Sequence, residues 1–203
     1  MTLSEALLTI LLRLPGPWEP AATAEPPELR QERLAVIAEA IALETEQPPP
    51  AWRWGARRLA AGVARTWFDE GARFHREVHS GARTADRGKS ACLGMVQTSR
   101  LVSPDEWFNA VGTDLEATRM CARITARYLT AHACRCLGPA VKPSAWAFAS
   151  VVSGYGSGWN CDPLMRHKDG RLFALERGRA WWKLNQDLYW LMQTKPRSAL
   201  ALL

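Results

Sequence analysis

Pro48, Pro49 and Pro50 stand in a row. Proline has no backbone N–H and a fixed φ, and it disfavours helical geometry in the residue before it. No helix or interior strand can run through three in succession, so this triplet is the clearest boundary in the chain. The two sides differ in charge. Residues 1–50 hold eight Glu and three Arg, a net of −5, while the whole chain carries +6, which leaves +11 on residues 51–203. The short side is predicted to be an acidic helical N-terminal extension. A helix over 3–13 has Ser4 as its candidate cap. The sequence PGPWEP breaks it, and a Pro/Ala/Glu linker runs to about residue 27. A second helix over 28–45 presents Leu34, Ile37, Ile41 and Leu43. Such an extension either packs on the main domain or serves as a docking segment.

The long side, 51–203, reads as one mostly α domain. A hydrophobic content of 47% is enough to build a core. No apolar run approaches the ~18–20 residues of a membrane helix. A helix is predicted over 51–69, ended by Gly71 as a C-cap glycine. Residues 71–104 are rich in Gly, Ser, Thr and Arg, and are read as a loop-rich or small β insert, with a hairpin at most. Residues 113–116 read TDLE, a capping box that starts a helix to about Arg135, with Ala117, Cys121, Ile124, Tyr128 and Ala131 on one face. Ser144 is placed as the cap of a further helix ending at Gly154. A last helix over 174–193 carries Trp181, Trp182, Leu188, Trp190 and Leu191. No internal repeat is present.

Within the first of these core helices, Leu59, Val63, Trp67 and Glu70 are spaced by four, four and three, so they share one stripe. A carboxylate that continues an apolar stripe is costly unless it is neutral or used. With the helix ending at Gly71, Glu70 would also meet the negative end of the macrodipole. Both effects disfavour its charged form. A carboxylic acid that keeps its proton is what a glycosidase needs to protonate a leaving oxygen. The plain alternative is a solvated helix-end carboxylate.

Two later segments bear on that choice. Residues 86–97 read DRGKSACLGMVQ, and residues 153–158 read SGYGSG. A helix ending in a glutamate, then a Gly/Ser-rich loop with a Gly-Leu-x-Gln-like element, then a Tyr-Gly-rich turn after a helix resembles the transglycosylase branch of the lysozyme superfamily. The likeness is to the soluble lytic transglycosylase and goose-type lysozyme-like domain, and it covers roughly residues 51–190. It implies a lysozyme-like helical fold and cleavage of the β-1,4 bond between N-acetylmuramic acid and N-acetylglucosamine in peptidoglycan. Glu70 falls where such enzymes keep their acid/base glutamate. Gln97 (or Met95 in a shifted register) falls near a glutamine that contacts the sugar. Tyr155 falls at a tyrosine that lines the site, and Ser90 and Thr98 are placed to donate to the saccharide. Three positions depart from the pattern. Gly71 stands where a serine commonly follows the glutamate, the Gly-Leu-x-Gln element is distorted around Leu93 to Gln97, and Tyr155 is followed by Gly156 rather than asparagine. An inactive structural or wall-binding member of a phage tail or virion is therefore the alternative reading. Asp69 and Asp86 are the candidate second carboxylates; a lyase needs none.

The remaining features set limits. The resemblance implies no organic cofactor. No metal is expected, because His75 and His79 lie four apart without a persuasive ligand set and Cys134 and Cys136 have few histidines nearby. The five cysteines (Cys92, Cys121, Cys134, Cys136 and Cys161) are expected to be mainly buried free thiols, with one or two disulfides open. The glycines 154, 156 and 158 do not make a phosphate loop, since no Lys-Ser/Thr follows. The basic main domain fits an anionic partner. Peptidoglycan is the first choice and nucleic acid ranks below it, because no recognition helix or RNA motif is evident. The first 20 residues lack a basic n-region and a clear cleavage site, so no signal peptide is read. That fits a lysin carried by a phage particle, with the acidic extension contacting other virion proteins.

Overall fold

The predicted stripe on the first core helix organises the molecule. Leu59, Val63 and Trp67 are buried in one hydrophobic cluster that draws side chains from all seven helices described below. The structure is a computed structural model. It describes residues 1–14, 26–46, 55–79, 101–110, 112, 114–138, 141–157, 160–166 and 170–194. These form α1 (Leu3–Arg13), α2 (Pro27–Thr45), α3 (Gly55–His79), α4 (Pro104–Asn109), α5 (Leu115–Leu137), α6 (Ala145–Ser157) and α7 (Phe173–Thr194). No β-strand occurs among the described residues. The fold is mostly α, and the hairpin expected within 71–104 falls largely on residues outside those described.

Helix α3 packs against α1, α2, α5 and α7, and α6 lies between α5 and α7. Two glycines set the closest approaches. A Cβ on Gly178 would stand 2.5–2.7 Å from backbone atoms of Ala145 and Ala149, so α6 and α7 meet nearly backbone to backbone. A Cβ on Gly62 would overlap the Trp181 ring. That bare spot on α3 lets Trp181 lie flat on Phe148, with centroids 4.3 Å apart and planes 8° from parallel. The indole N–H is not stranded by this burial, because Nε1 donates to the carbonyl of Arg58 at 2.8 Å.

The N-terminal extension packs on the main domain. Leu7 and Leu11 of α1 and Leu34 and Ile41 of α2 are buried in the same cluster as the later helices. A polar tie strengthens the α2–α5 contact. Glu44 accepts from Arg123 Nε at 2.6 Å and Arg127 Nε at 3.1 Å, and Arg127 Nη1 reaches on to Glu106 of α4 at 2.6 Å. Part of the extension's acidity is thus spent inside the fold, against arginines of the basic region.

Several helix ends differ from the sequence expectation. Thr2, not Ser4, caps α1, in a reciprocal box with Glu5. Asp114 caps α5, its Oδ1 accepting from Ala117 N at 2.7 Å; Thr113 lies outside the described residues. Ser144 caps α6 as expected, accepting from Ala147 N at 3.1 Å, but α6 continues past Gly154 to Ser157. Helix α4 was not anticipated, although Ser103 and Glu106 form a capping box around it. One disulfide, a possibility the sequence left open, is present: Cys136 and Cys161 are bonded, which joins the end of α5 to the segment after α6. Cys121 and Cys134 are free.

The largest correction concerns α3. It does not stop before Gly71 but runs on to His79. Among the described residues the glycines with positive φ are Gly55, at the start of α3, Gly138 and Gly170. A glycine in helical φ costs only about 1 kcal/mol against alanine, too little to end a helix that packs on several neighbours.

Candidate functional site

Glu70 remains on the stripe that singled it out. Its side chain is 14% exposed, directly after the buried run of Leu59, Val63 and Trp67. The negative end of the helix dipole does not fall at Glu70. Because α3 continues for more than two turns past Glu70, the negative helix end, whose influence fades within a turn, lies elsewhere. What surrounds the carboxylate instead is an ionic cluster. Arg177 of α7 donates from Nη1 to Glu70 Oε1 at 2.5 Å. Its Nε lies 3.9 Å from Asp69 Oδ2, and the other Asp69 oxygen accepts from Arg65 Nη2 at 2.7 Å. The guanidinium of Arg177 therefore spans two adjacent carboxylates, and Arg65 secures the second.

Three members of this cluster, Arg65, Asp69 and Arg177, line a cleft between α3, α6 and α7, and Glu70 is not among its lining residues. The cleft is lined by Gly62, Arg65, Thr66 and Asp69 from α3, Val152 and Tyr155 from α6, and Arg177 and Trp181 from α7. Among the described residues its interior has room for about one water, 10 Å³. Sequence reasoning chose Glu70 and Tyr155 from segments 85 positions apart. Arg177 bonds the first and lines the cleft with the second, while Glu70 itself does not line it. Gln97, Ser90, Thr98 and Asp86 lie outside the described residues, as does Met95.

Tyr155 is itself held from behind. Its ring meets His132 of α5 edge-on at 6.2 Å, and the preceding Gly154 lies against the disulfide, where a Cβ would stand 2.7 Å from Cys136 Sγ. Burial, and secondarily the nearby Arg135, push the His132 pKa below the ordinary histidine value, which favours a neutral ring against Tyr155. Among the described residues no three His, Cys, Asp or Glu side chains converge as metal ligands. No described helix is long and apolar enough to cross a membrane.

Arg177 is the site residue that sequence reasoning missed. Its signal was present. Ala174, Gly178 and Trp181 form the buried stripe of α7, and Arg177 is next to it. A cation beside a buried stripe calls for a carboxylate partner, as Glu70 did on α3. The chain matches no family model, no curated protein and no solved structure.

Proposed function

We propose that the chain cleaves peptidoglycan glycan strands at the bond between N-acetylmuramic acid and N-acetylglucosamine, with Glu70 as general acid and then base. The observation that carries this reading is that Arg177, which holds the half-buried Glu70 carboxylate, also lines a cleft with Tyr155. In the reaction Glu70 gives its proton to the glycosidic oxygen as the C1–O bond breaks, the bonding pair leaving with that oxygen. The cation at C1 is met either by the muramic acid's own hydroxyl, as in a lytic transglycosylase, or by water, as in a muramidase. The proton released in that step returns to Glu70. Tyr155 and the Gln97, Ser90 and Thr98 segment supply the saccharide contacts that the lysozyme-like resemblance implies. The excess of positive charge on residues 51–203 raises the encounter rate with an acidic wall polymer. Carriage on a phage or virion particle completes the proposal.

A specific observation favours a second reading. The described cleft holds only about one water, and Glu70 Oε1 is engaged by an arginine. A wall-binding or structural particle component on the same frame fits those two facts. Clearing of purified sacculi by wild type and Glu70→Gln separates the readings. Catalysis predicts loss on the order of 10²–10⁴-fold in the variant. Equal clearing by both rejects Glu70 as the acid. Binding to sacculi without clearing by either selects the structural role. Mass spectrometry of released muropeptides then assigns the chemistry, since anhydro ends are one water lighter than hydrolysed ends.

A further inference from the structure

We propose that Arg177 is a positioning residue for Glu70, which it fixes in place and whose charge it balances after proton transfer, with Asp69 and Arg65 as its anchor. This rests on the glycan-cleaving reading of Glu70 and extends it to residues on α7 and α3. The geometry is that of a fork over two carboxylates: 2.5 Å from Nη1 to Glu70 Oε1, and 3.9 Å from Nε to Asp69 Oδ2. A general acid passes through two states. While Glu70 carries the catalytic proton it is neutral, and the guanidinium is retained by Asp69. Once the proton has moved to the glycosidic oxygen, Glu70 is an anion, and Nη1 is already in place to meet it. A donor preorganised where charge develops is worth more than one that must be recruited.

Asp69 can serve as a fixed anchor because its other oxygen is held by Arg65 at 2.7 Å. Arg65 is in turn steadied by the Phe68 ring, 4.4 Å from its guanidinium carbon. On its other side Arg177 lies over the Phe173 ring at 5.9 Å. The charged and titratable groups lining this junction are Arg65, Asp69 and Glu70 from α3, Tyr155 from α6 and Arg177 from α7. From α5, His132 reaches the Tyr155 ring. The fork shape matters as much as the charge. Lysine is a point charge and cannot span both carboxylates.

The test is clearing of sacculi by the full chain, with kcat and KM separated by varying sacculus concentration, and folding followed by circular dichroism. For Arg177→Ala the expected result is a fall in kcat on the order of 10²-fold at a KM within about twofold of wild type. Guanidinium ion at sub-denaturing concentration restores part of that rate in Arg177→Ala and none in Glu70→Gln. Arg177→Lys keeps the charge and the fold and is expected to lose roughly tenfold in kcat. A wild-type kcat in either variant overturns the proposal, as does a loss confined to KM or one that matches the unfolded fraction. These outcomes are read against an active wild type and an inactive Glu70→Gln. If wild type itself does not clear, the glycan-cleaving reading fails, and the role of Arg177 fails with it.

Discussion

Removing the Cys136–Cys161 bridge is predicted to cost the fold about 3.5 kcal/mol. The two cysteines are 25 residues apart in sequence. Closing a loop of that length removes about 12 cal/mol/K of entropy from the unfolded chain, which is about 3.5 kcal/mol at 25 °C. For a chain of this size each 1 kcal/mol moves Tm by roughly 2–4 °C, so the expected fall is about 7–14 °C. The native side of the balance adds to it, because Gly154 packs directly on the bridge. Peptide mapping of the unreduced protein comes first and should recover the Cys136 and Cys161 peptides joined. Urea titrations of oxidised protein, reduced protein and the Cys136→Ala/Cys161→Ala double variant then give the free energies. The free Cys134 thiol, two residues from Cys136, is the natural competitor for exchange. Burial pushes its pKa up, so little of it is the reactive thiolate at neutral pH. Stability within about 1 kcal/mol across all three samples would refute the loop-closure reasoning. A different disulfide pairing in the mapped peptides would refute the placement of the segment after α6.

Two further outcomes follow from packing and charge. Gly178→Ala places a methyl 2.5–2.7 Å from the α6 backbone, which cannot move aside as a side chain would. The helices must separate, at a cost of about 1–3 kcal/mol, and an unchanged Tm would show that α6 and α7 are not in close contact. Acid should loosen the α2–α5–α4 tie. Burial pushes the Glu44 carboxyl up, but hydrogen bonds from Arg127 and Arg123 outweigh it and hold the pKa below the ordinary 4.5. Glu106 is held low too: burial raises it, while Ser103 and Arg127 lower it by more. A carboxylate whose folded pKa is depressed contributes stability that is present above its unfolded value and is lost as pH falls through the folded one. Wild type should therefore lose stability below about pH 4.5, and Glu44→Gln should be less stable at neutral pH with a flatter acid limb in urea titrations. Parallel acid limbs in the two proteins would assign the loss to other groups.

The helices were legible wherever periodicity and a breaker agreed. The stripe of α3 and the span of α7 follow from apolar spacing, and the span of α2 from Leu34, Ile37 and Ile41 together with the proline triplet, although Leu43 is exposed. The ends were not, and for a physical reason. Gly71 and Gly154 sit inside helices because a glycine permits a turn without compelling one, and helix packing outweighs its small propensity penalty. The inference from Glu70 was half recovered. Its burial was readable from spacing with Leu59, Val63 and Trp67, but its dipole environment rested on a helix end that is not there. Its partner was not readable, because Arg177 is 107 residues away and only the α3–α7 crossing brings the two together. The same holds for Cys136 and Cys161. Their pairing depends on where the segment after α6 returns to α5, and spacing along the chain carries no information about that.

The cluster of Arg65, Asp69, Glu70 and Arg177 is hard to explain as a device for stability. Its two carboxylates are each 14% exposed, and Asp69 lines the cleft with Trp181. Taking such charges out of water costs several kcal/mol per ion, and ion pairs at sites like this are often matched or exceeded in stability by well-packed apolar residues. Leucines on α3 and α7 would join the two helices at least as well. Removing a member leaves its partner's charge less well matched, at a cost that solvent reduces because Arg65 and Arg177 keep 24% and 34% of their side-chain surface in water. The cluster thus adds little stability that the apolar contacts of Trp181 do not already supply. What apolar residues cannot supply is a half-buried carboxylate with a guanidinium in place for its charged state. That pairing, rather than the helix dipole, is the physical ground on which Glu70 is proposed as the acid.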